Sequence, residues 1–444
     1  MSRKICRRQY DLFLFNADVQ AGQNNYFPSQ DGYQVEDMDV LIIAVVLLFN
    51  ILAAGHALLY KRDPKAAWGW IVTCLLIPTI GPVLYFLFGI NRIRLKARRL
   101  KSEARDQDYT GTLKAGVATE CSSEHTKADL SLVSDDTLSR NLSRIPLIPG
   151  NEVRAFFNGN EAYPEMIQAI ERAQKHVYLS TYIFSSDPWG QNFIAALSRA
   201  VQRGVQVRVL LDAIGEFYSW PRAGRYLKAA EVPFARFLRL KLFPPSPFLN
   251  LRNHRKILVV DGYLGFTGGM NIRDSHVVEP GKTSSSRDIH FSFKGPVVAQ
   301  FEDQFLSDWA FSTGESIAVS GGIQTCSRQD SASCRTISIG PDQDVDLLRV
   351  LFTGLISQAR KKILIMTPYF LPCREIMGAL QVAALRGVEV NLVLPRENNL
   401  FFIKWASQNV LWEILKFGVN VYYQPPPFDH SKIFVLDDYY TLVG

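Results

Sequence analysis

The chain has 444 residues, 47% of them hydrophobic, and a formal net charge of +7. That is enough apolar material for two or three domain cores, and it excludes a disordered chain. The basic balance points to an anionic partner, whether nucleic acid, membrane surface or phosphorylated substrate, without choosing among them.

Residues 1–37 show no periodicity, and Met38 stands where an initiator would fall, so 1–37 is expected to be an upstream extension dispensable for activity. From Val40 to Tyr60 the sequence VLIIAVVLLFNILAAGHALLY has no formal charge. At about 1.5 Å per residue it covers the roughly 30 Å hydrocarbon core of a bilayer, which predicts a transmembrane helix. After the turn KRDPK, a second uncharged run extends from Ala66 to Ile90, with Trp68 and Trp70 suited to the interface. A transmembrane hairpin over 38–101 is the economical expectation. The alternative is a re-entrant or interfacial second helix, because Pro78, Gly81 and Pro82 would break it. A cleaved signal peptide does not fit two successive apolar runs that begin this far into the chain. Asn50 and His56 read as polar residues tolerated within the bundle.

Arg92, Arg94, Lys96, Arg98, Arg99 and Lys101 favour a cytoplasmic position for the chain beyond them, while Glu36, Asp37 and Asp39 pull the other way. Residues 102–144 turn polar and read as a linker. The six cysteines (Cys6, Cys74, Cys121, Cys326, Cys334 and Cys373) are scattered without metal-ligand or disulfide spacing. No metal or cofactor is expected.

Beyond about Ile145 one series of elements occurs twice, dividing the chain into halves at 145–320 and 321–444. PEMIQAIERAQKH followed by VYLSTYIF is matched by LLRVLFTGLISQARK followed by KILIMTPYF. ALSRAVQRGVQVRVLLD is matched by ALQVAALRGVEVNLVLP, each a helix, a glycine turn (Gly204, Gly387) and a β-branched strand. NHRKILVVDGYLGFTGG is then echoed by DHSKIFVLDDYYTLVG. The order predicts an α/β fold of two pseudo-repeated halves, with mixed, largely parallel sheets flanked by helices, that build one site where they face each other.

In each copy a His and a Lys lie two residues apart at a strand start: His254 and Lys256, then His430 and Lys432. A period of two sets both side chains on one face. Asp261 and Asp437 follow at the strand ends, where Asp261-Gly262 also suits a hairpin turn. Two imidazoles and two ammonium groups brought together suit phosphoryl transfer without a metal. A neutral His attacks phosphorus, the other His protonates the leaving alkoxide, and the lysines hold the non-bridging oxygens.

This doubled His-x-Lys-x4-Asp pattern, over roughly residues 40–444, resembles the phospholipase D superfamily. Within it, PVLYFLFG, NHRKILVVDGYLGFTGGMNIRD, SSRDIHFSFKGP and TPYFLP resemble the bacterial cardiolipin synthases. The resemblance implies condensation of two phosphatidylglycerol molecules into cardiolipin and glycerol at a bacterial cell membrane, by a multi-pass protein. It implies a catalytic set of His254, Lys256, Asp261, His430, Lys432 and Asp437, with His254 favoured as nucleophile and the two Asp residues holding strand and turn. Lys256, Lys432 and Asn271 would bind phosphate, and Asp288 would orient the first-motif histidine. The family continues its second motif with Gly-Ser-x-Asn and a later acid, whereas this chain stops at Gly444. The sequence is therefore expected to be a fragment, its second half-site lacking the Asn and the acid partner of His430.

The stretch Phe234–Arg252 interleaves Phe and Leu with Arg and Lys, a mixture that suits either a lipid headgroup layer or an ordinary amphipathic surface. The apolar runs favour a lipid substrate over nucleic acid. A phospholipase D hydrolase and a non-catalytic membrane scaffold are the competing expectations. Trp405, Trp412, Phe401 and Phe402 in a later helix read as core residues.

Overall fold

The computed structural model describes residues 31–61, 63–90, 130–143, 145–238, 252–279, 281, 284–320, 331–338 and 346–444; side chains are described from residue 38, from 137 in the helix at 130–143 and from 347 in the helix at 346–358. The residues fall into two compact units, Met1–Ile90 and Asn91–Gly444.

In the first unit the helix Asp31–Tyr60 contains an apolar stretch, Met38–Tyr60, long enough to cross a membrane. The second apolar run does not make a matching return. It forms a helix over Pro64–Leu76, breaks, and resumes as Ile80–Leu84 with a wider turn over Tyr85–Gly89. Thirteen residues reach only about 20 Å, which is short of the bilayer core. At the break Thr79 takes φ 67°, and a Cβ on Gly81 would stand 2.2 Å from the Thr73 carbonyl oxygen. The chain thus doubles back on itself there.

Three contacts give the direction of the last piece. Thr79 N–H points to Asn50 Oδ1 at 3.4 Å, Tyr85 Oη lies 2.8 Å from His56 Nδ1, and Lys61 Nζ donates to Gly89 O at 2.5 Å. Partners that ascend together in sequence mean the last piece runs parallel to the first helix. The second run enters and leaves at the Tyr60 end and turns beside Asn50, about 15 Å deep by helical rise. A full hairpin would deliver Gly89 to the opposite end; here the described residues hold one helix long enough to cross a membrane, and the second run folds back beside it. Pro78 and the Gly81-Pro82 pair supply the break, and Asn50 and His56, expected to be merely tolerated, hold the returning chain.

The second unit contains both halves of the repeat. In the first, strands β1 (Ile148–Phe157), β2 (His176–Thr181), β3 (Gln206–Asp212), β4 (Phe234–Phe237), β5 (Ile257–Val260) and β6 (Leu264–Gly268) precede β7 (Ser286–Arg287), β8 (Ile289–Lys294) and β9 (Ala332–Cys334). The sheet order is β4-β3-β2-β5-β6-β8-β1-β9. Every residue of β2 is buried, because the helices Asn158–Arg172 and Pro188–Gln202 cover one face and Val298–Thr313 the other. That double cover buries both faces of the strand, Val177 and Leu179 on one side and Tyr178 on the other.

The second half has β10 (Lys362–Met366), β11 (Glu389–Pro395), β12 (Asn420–Gln424), β13 (Phe428–Asp429), β14 (Ile433–Leu436) and β15 (Tyr440–Val443). Its sheet order, β12-β11-β10-β14-β15, reproduces the first five strands of the other sheet. Gly204 and Gly387 share φ 86° after their helices, the left-handed position that glycine fills without a Cβ clash. Asp261-Gly262 and Asp437-Asp438 also match, with positive φ at both turn residues, as a type I′ hairpin requires.

Two boundaries fall elsewhere than the composition suggested. Leu130–Ser143, at the end of the polar stretch, is a helix whose Leu138 and Leu142 pack on the second-half core. Strand β9, beyond residue 320, pairs with β1 in the first sheet. The basic-aromatic stretch begins as the sheet-edge strand β4, with Phe237 in the core. Its residues 239–251 lie outside the described residues, as do 1–30 and the basic run at 91–101.

Candidate active site

The chain reaches the first motif through Asn253, whose backbone N–H donates to Asp212 Oδ2 at 3.1 Å. Asp212 ends β3, is buried, and also accepts from the N–H groups of Ile214 and Gly215. Arg255 faces away from the motif and pairs with Asp308 at 2.8 and 3.0 Å. Strand alternation then sets His254 and Lys256 together on the opposite side. Lys256 Nζ donates to His254 O at 2.6 Å, and the His254 ring stacks on Tyr182 with centroids 4.2 Å apart.

The second motif is delivered by a short parallel pairing between the halves, Phe428 with Ser286 and Asp429 with Arg287. His430 N–H continues it by donating to Arg287 O at 2.8 Å. That register brings His430 Nδ1 to 2.9 Å from Asp288 Oδ2. Lys432 Nζ donates to His430 O at 2.8 Å, repeating the Lys256 geometry, and lies 3.1 Å from the imidazole nitrogens. Tyr369 sets its ring edge toward His430, centroids 6.0 Å apart.

The two half-sites share one electrostatic environment. Burial first, then the positive fields of Lys256, Lys432 and His430, lowers His254 to about 4, so its imidazole is neutral at pH 7. Burial and the neighbouring Lys432 lower Lys256 to about 7. Burial likewise lowers Lys432 to about 8, against the pull of Asp288 and Asp429. Burial alone would raise Asp288, but the His430 hydrogen bond and the fields of His276, His430 and Lys432 hold it below the ordinary carboxylate range. A neutral imidazole, a second imidazole fixed by a carboxylate and two desolvated amines can together hold a phosphate and shuttle one proton.

The other expected residues divide. Asp261 and Asp437 sit just past the far ends of β5 and β14, about 16 Å from the motif lysines by strand rise. Asp261 accepts the backbone N–H groups of Gln174, Lys175 and His176 at 2.7–3.0 Å. Asp437 accepts those of Arg360, Lys361 and Lys362 at 2.7–2.8 Å. Both thus clamp the start of the adjoining antiparallel strand, away from the His/Lys pairs. Asn271 is buried and its Oδ1 accepts Ile183 N–H at 3.0 Å.

Asp288 faces His430, not His254 as the resemblance implied, because the register between β7 and β13 is what positions it. His430 therefore has an acid partner within this chain, contrary to the expectation of a deprived second half-site. Sequence reading missed Tyr182 and Tyr369, although both sit in the repeated TYIF and TPYF segments. It also missed the need for Gly269, where a Cβ would meet Asp288 Oδ1 at 2.4 Å.

A family profile described as cardiolipin synthase, PLD-like domain, matches residues 166–309 and 352–444. A second, described as phospholipase D-nuclease N-terminal, matches residues 42–89. A cardiolipin synthase of Geobacillus kaustophilus is 31% identical over 87% of this chain and 77% of its own length. One of Halalkalibacterium halodurans is 30% identical over 93% and 81%. The major cardiolipin synthase of Bacillus subtilis is 28% identical over 91% and 85%. Among solved structures, a phosphatidylserine synthase of Haemophilus influenzae aligns with a TM-score of 0.47 at 14% identity, covering 68% of this chain and 80% of that one.

Proposed function

The chain belongs to the cardiolipin synthase family with its phospholipase D-like domain, and we propose that it is a membrane-anchored phosphatidyltransferase joining two phosphatidylglycerol molecules into cardiolipin and glycerol. The observation that carries this reading is the 2.9 Å contact of Asp288 with His430, which joins the halves so that His430 and Lys432 lie close enough to bias His254 and Lys256 electrostatically.

In the first step the neutral His254 imidazole attacks the phosphorus of one phosphatidylglycerol. The bond from phosphorus to the headgroup glycerol oxygen breaks, and His430 supplies the proton that this oxygen takes. The phosphatidyl group is then carried on His254. A hydroxyl of the second phosphatidylglycerol gives its proton to His430 and attacks phosphorus, which releases His254 and forms cardiolipin. Asp288 fixes the His430 tautomer by accepting at Nδ1, so that Nε2 is the working atom. Lys256 and Lys432 hold the non-bridging oxygens, and the amide of Asn271 supports them.

The reading places the protein in a bacterial cell membrane through Met38–Tyr60, with the catalytic part cytoplasmic. One crossing with a re-entrant return supports that side. Asp39, before the apolar stretch, and Lys61 and Lys65, after it, then lie on opposite faces, in agreement with the positive-inside rule.

The test is product analysis. Membranes containing the full-length protein, supplied with labelled phosphatidylglycerol, should yield cardiolipin and glycerol. Phosphatidic acid as the sole labelled lipid would mean that water is the acceptor and that the protein is a hydrolase.

A further inference from the structure

The helix Phe401–Leu415 packs Leu411 and Ile414 into the second-half core and also buries Ser407, yet Phe401, Phe402, Trp405 and Trp412 stand 53–66% exposed. This corrects the expectation that these four are core residues. Cations lie among them, with Lys416 Nζ 4.7 Å from the Trp412 ring centroid. The N-terminal end of the helix adjoins the candidate site, since Asn399 Oδ1 accepts from Tyr369 Oη at 3.0 Å and Tyr369 faces His430.

A second exposed aromatic group borders the other half-site. Phe217, Tyr218 and Trp220 are 55%, 58% and 84% exposed. Tyr218 lies 6.0 Å from Tyr182, the ring that stacks on His254. Arg222 covers the Phe217 ring at 3.9 Å. Each half of the site thus carries its own rim of exposed aromatics and basic side chains.

Exposed indole and phenyl groups beside cations are the composition of a bilayer interface, where the rings enter the acyl boundary and the cations meet anionic headgroups. We infer that the rim of Phe217, Trp220, Phe401, Phe402 and Trp405 seats on an anionic lipid bilayer, so that a phospholipid headgroup rises between His254 and His430 while its acyl chains stay among the rim side chains. This rests on the phosphatidyltransferase reading for the identity of the lipid, and on the exposed rim alone for contact with the bilayer. Arg222 and Lys416, set beside the rim rings, complement the anionic headgroup of phosphatidylglycerol. A protein partner or a second copy would leave the site facing a protein surface, away from the lipid it needs.

The test uses full-length protein in nanodiscs of phosphatidylcholine and phosphatidylglycerol, with and without bromine on the acyl chains. The tryptophan emission lost in Trp405→Phe, and that lost in Trp220→Phe, should be quenched by at least half by brominated chains. The emission lost in Trp309→Phe, a core residue 6% exposed, should not be quenched. Emission from Trp405 and Trp220 that ignores bromine overturns the inference, whether it is that of a water-exposed indole or shifts with protein concentration as a second copy covers it. Quenching does not depend on turnover. Quenching without transfer product would sink the enzymatic reading and keep the surface, and product without quenching would do the reverse.

Discussion

Asp288 Oδ2 lies 2.9 Å from His430 Nδ1, so a carboxylate from the first half holds the imidazole of the second. The Asp288–His430 pair is thus assembled from both halves. The relation follows from the pairing of Ser286-Arg287 with Phe428-Asp429, which sets both residues at adjoining strand ends.

Replacing Asp288 by Asn keeps the shape but lets the imidazole take the wrong tautomer. Turnover should fall at least about 100-fold, with circular dichroism unchanged. Adding Asp288→Asn to His430→Ala should cost little more than His430→Ala alone, because the two act as one unit. Additive losses in that double-mutant cycle would show that Asp288 serves another group.

Asp261 and Asp437 behave as clamps. Asp261→Ala strands three partly exposed N–H groups and should lower stability by about 2 kcal/mol. Thermal melting of the purified protein reads this, and turnover per folded molecule should stay within about threefold of wild type. A large loss of turnover without a change in melting would instead give the residue a part in the chemistry.

The pH profile is set by the lysines and His254. His254 is in its nucleophilic form above about 4. The ammonium groups that hold phosphate are lost as pH rises through about 7 for Lys256 and about 8 for Lys432. Accordingly kcat/KM should decline on the alkaline side over that range. Lys256→Arg keeps its charge at high pH, so whatever activity remains should decline later, under the control of Lys432. An alkaline limb in the same place for Lys256→Arg and Lys432→Arg would remove the lysines from the account.

Topology offers an independent check. A reporter fused before Met38 and protease sites introduced at 102–129 should respond on opposite faces of the membrane. A full hairpin would bring both to the same face.

Residue spacing makes much of the fold legible, and the rest is hidden for particular physical reasons. The crossing helix and the doubled strand-helix order can be read because charge-free length and period survive in one dimension. The shared face of His254 and Lys256 can be read for the same reason. The partner of Asp288 cannot, because it depends on a two-residue pairing between segments 142 positions apart. The fold-back at Ile77–Thr79 depends on Asn50, His56 and Lys61 meeting the returning chain, which Pro78 and Gly81 permit but do not direct. Trp405 and Trp412 are misassigned from sequence because apolar residues are spread around the helix, and Ser407 sits on the side that faces the core.

The most direct measurement of the central claim is rapid quenching of full-length protein with phosphatidylglycerol labelled in the phosphatidyl group, followed by detection of label on the protein. The account predicts label on wild type, none on His254→Ala, and retained label on His430→Ala, where the adduct forms slowly and cannot be passed on. Label that survives His254→Ala and vanishes in His430→Ala would contradict it and make His430 the nucleophile.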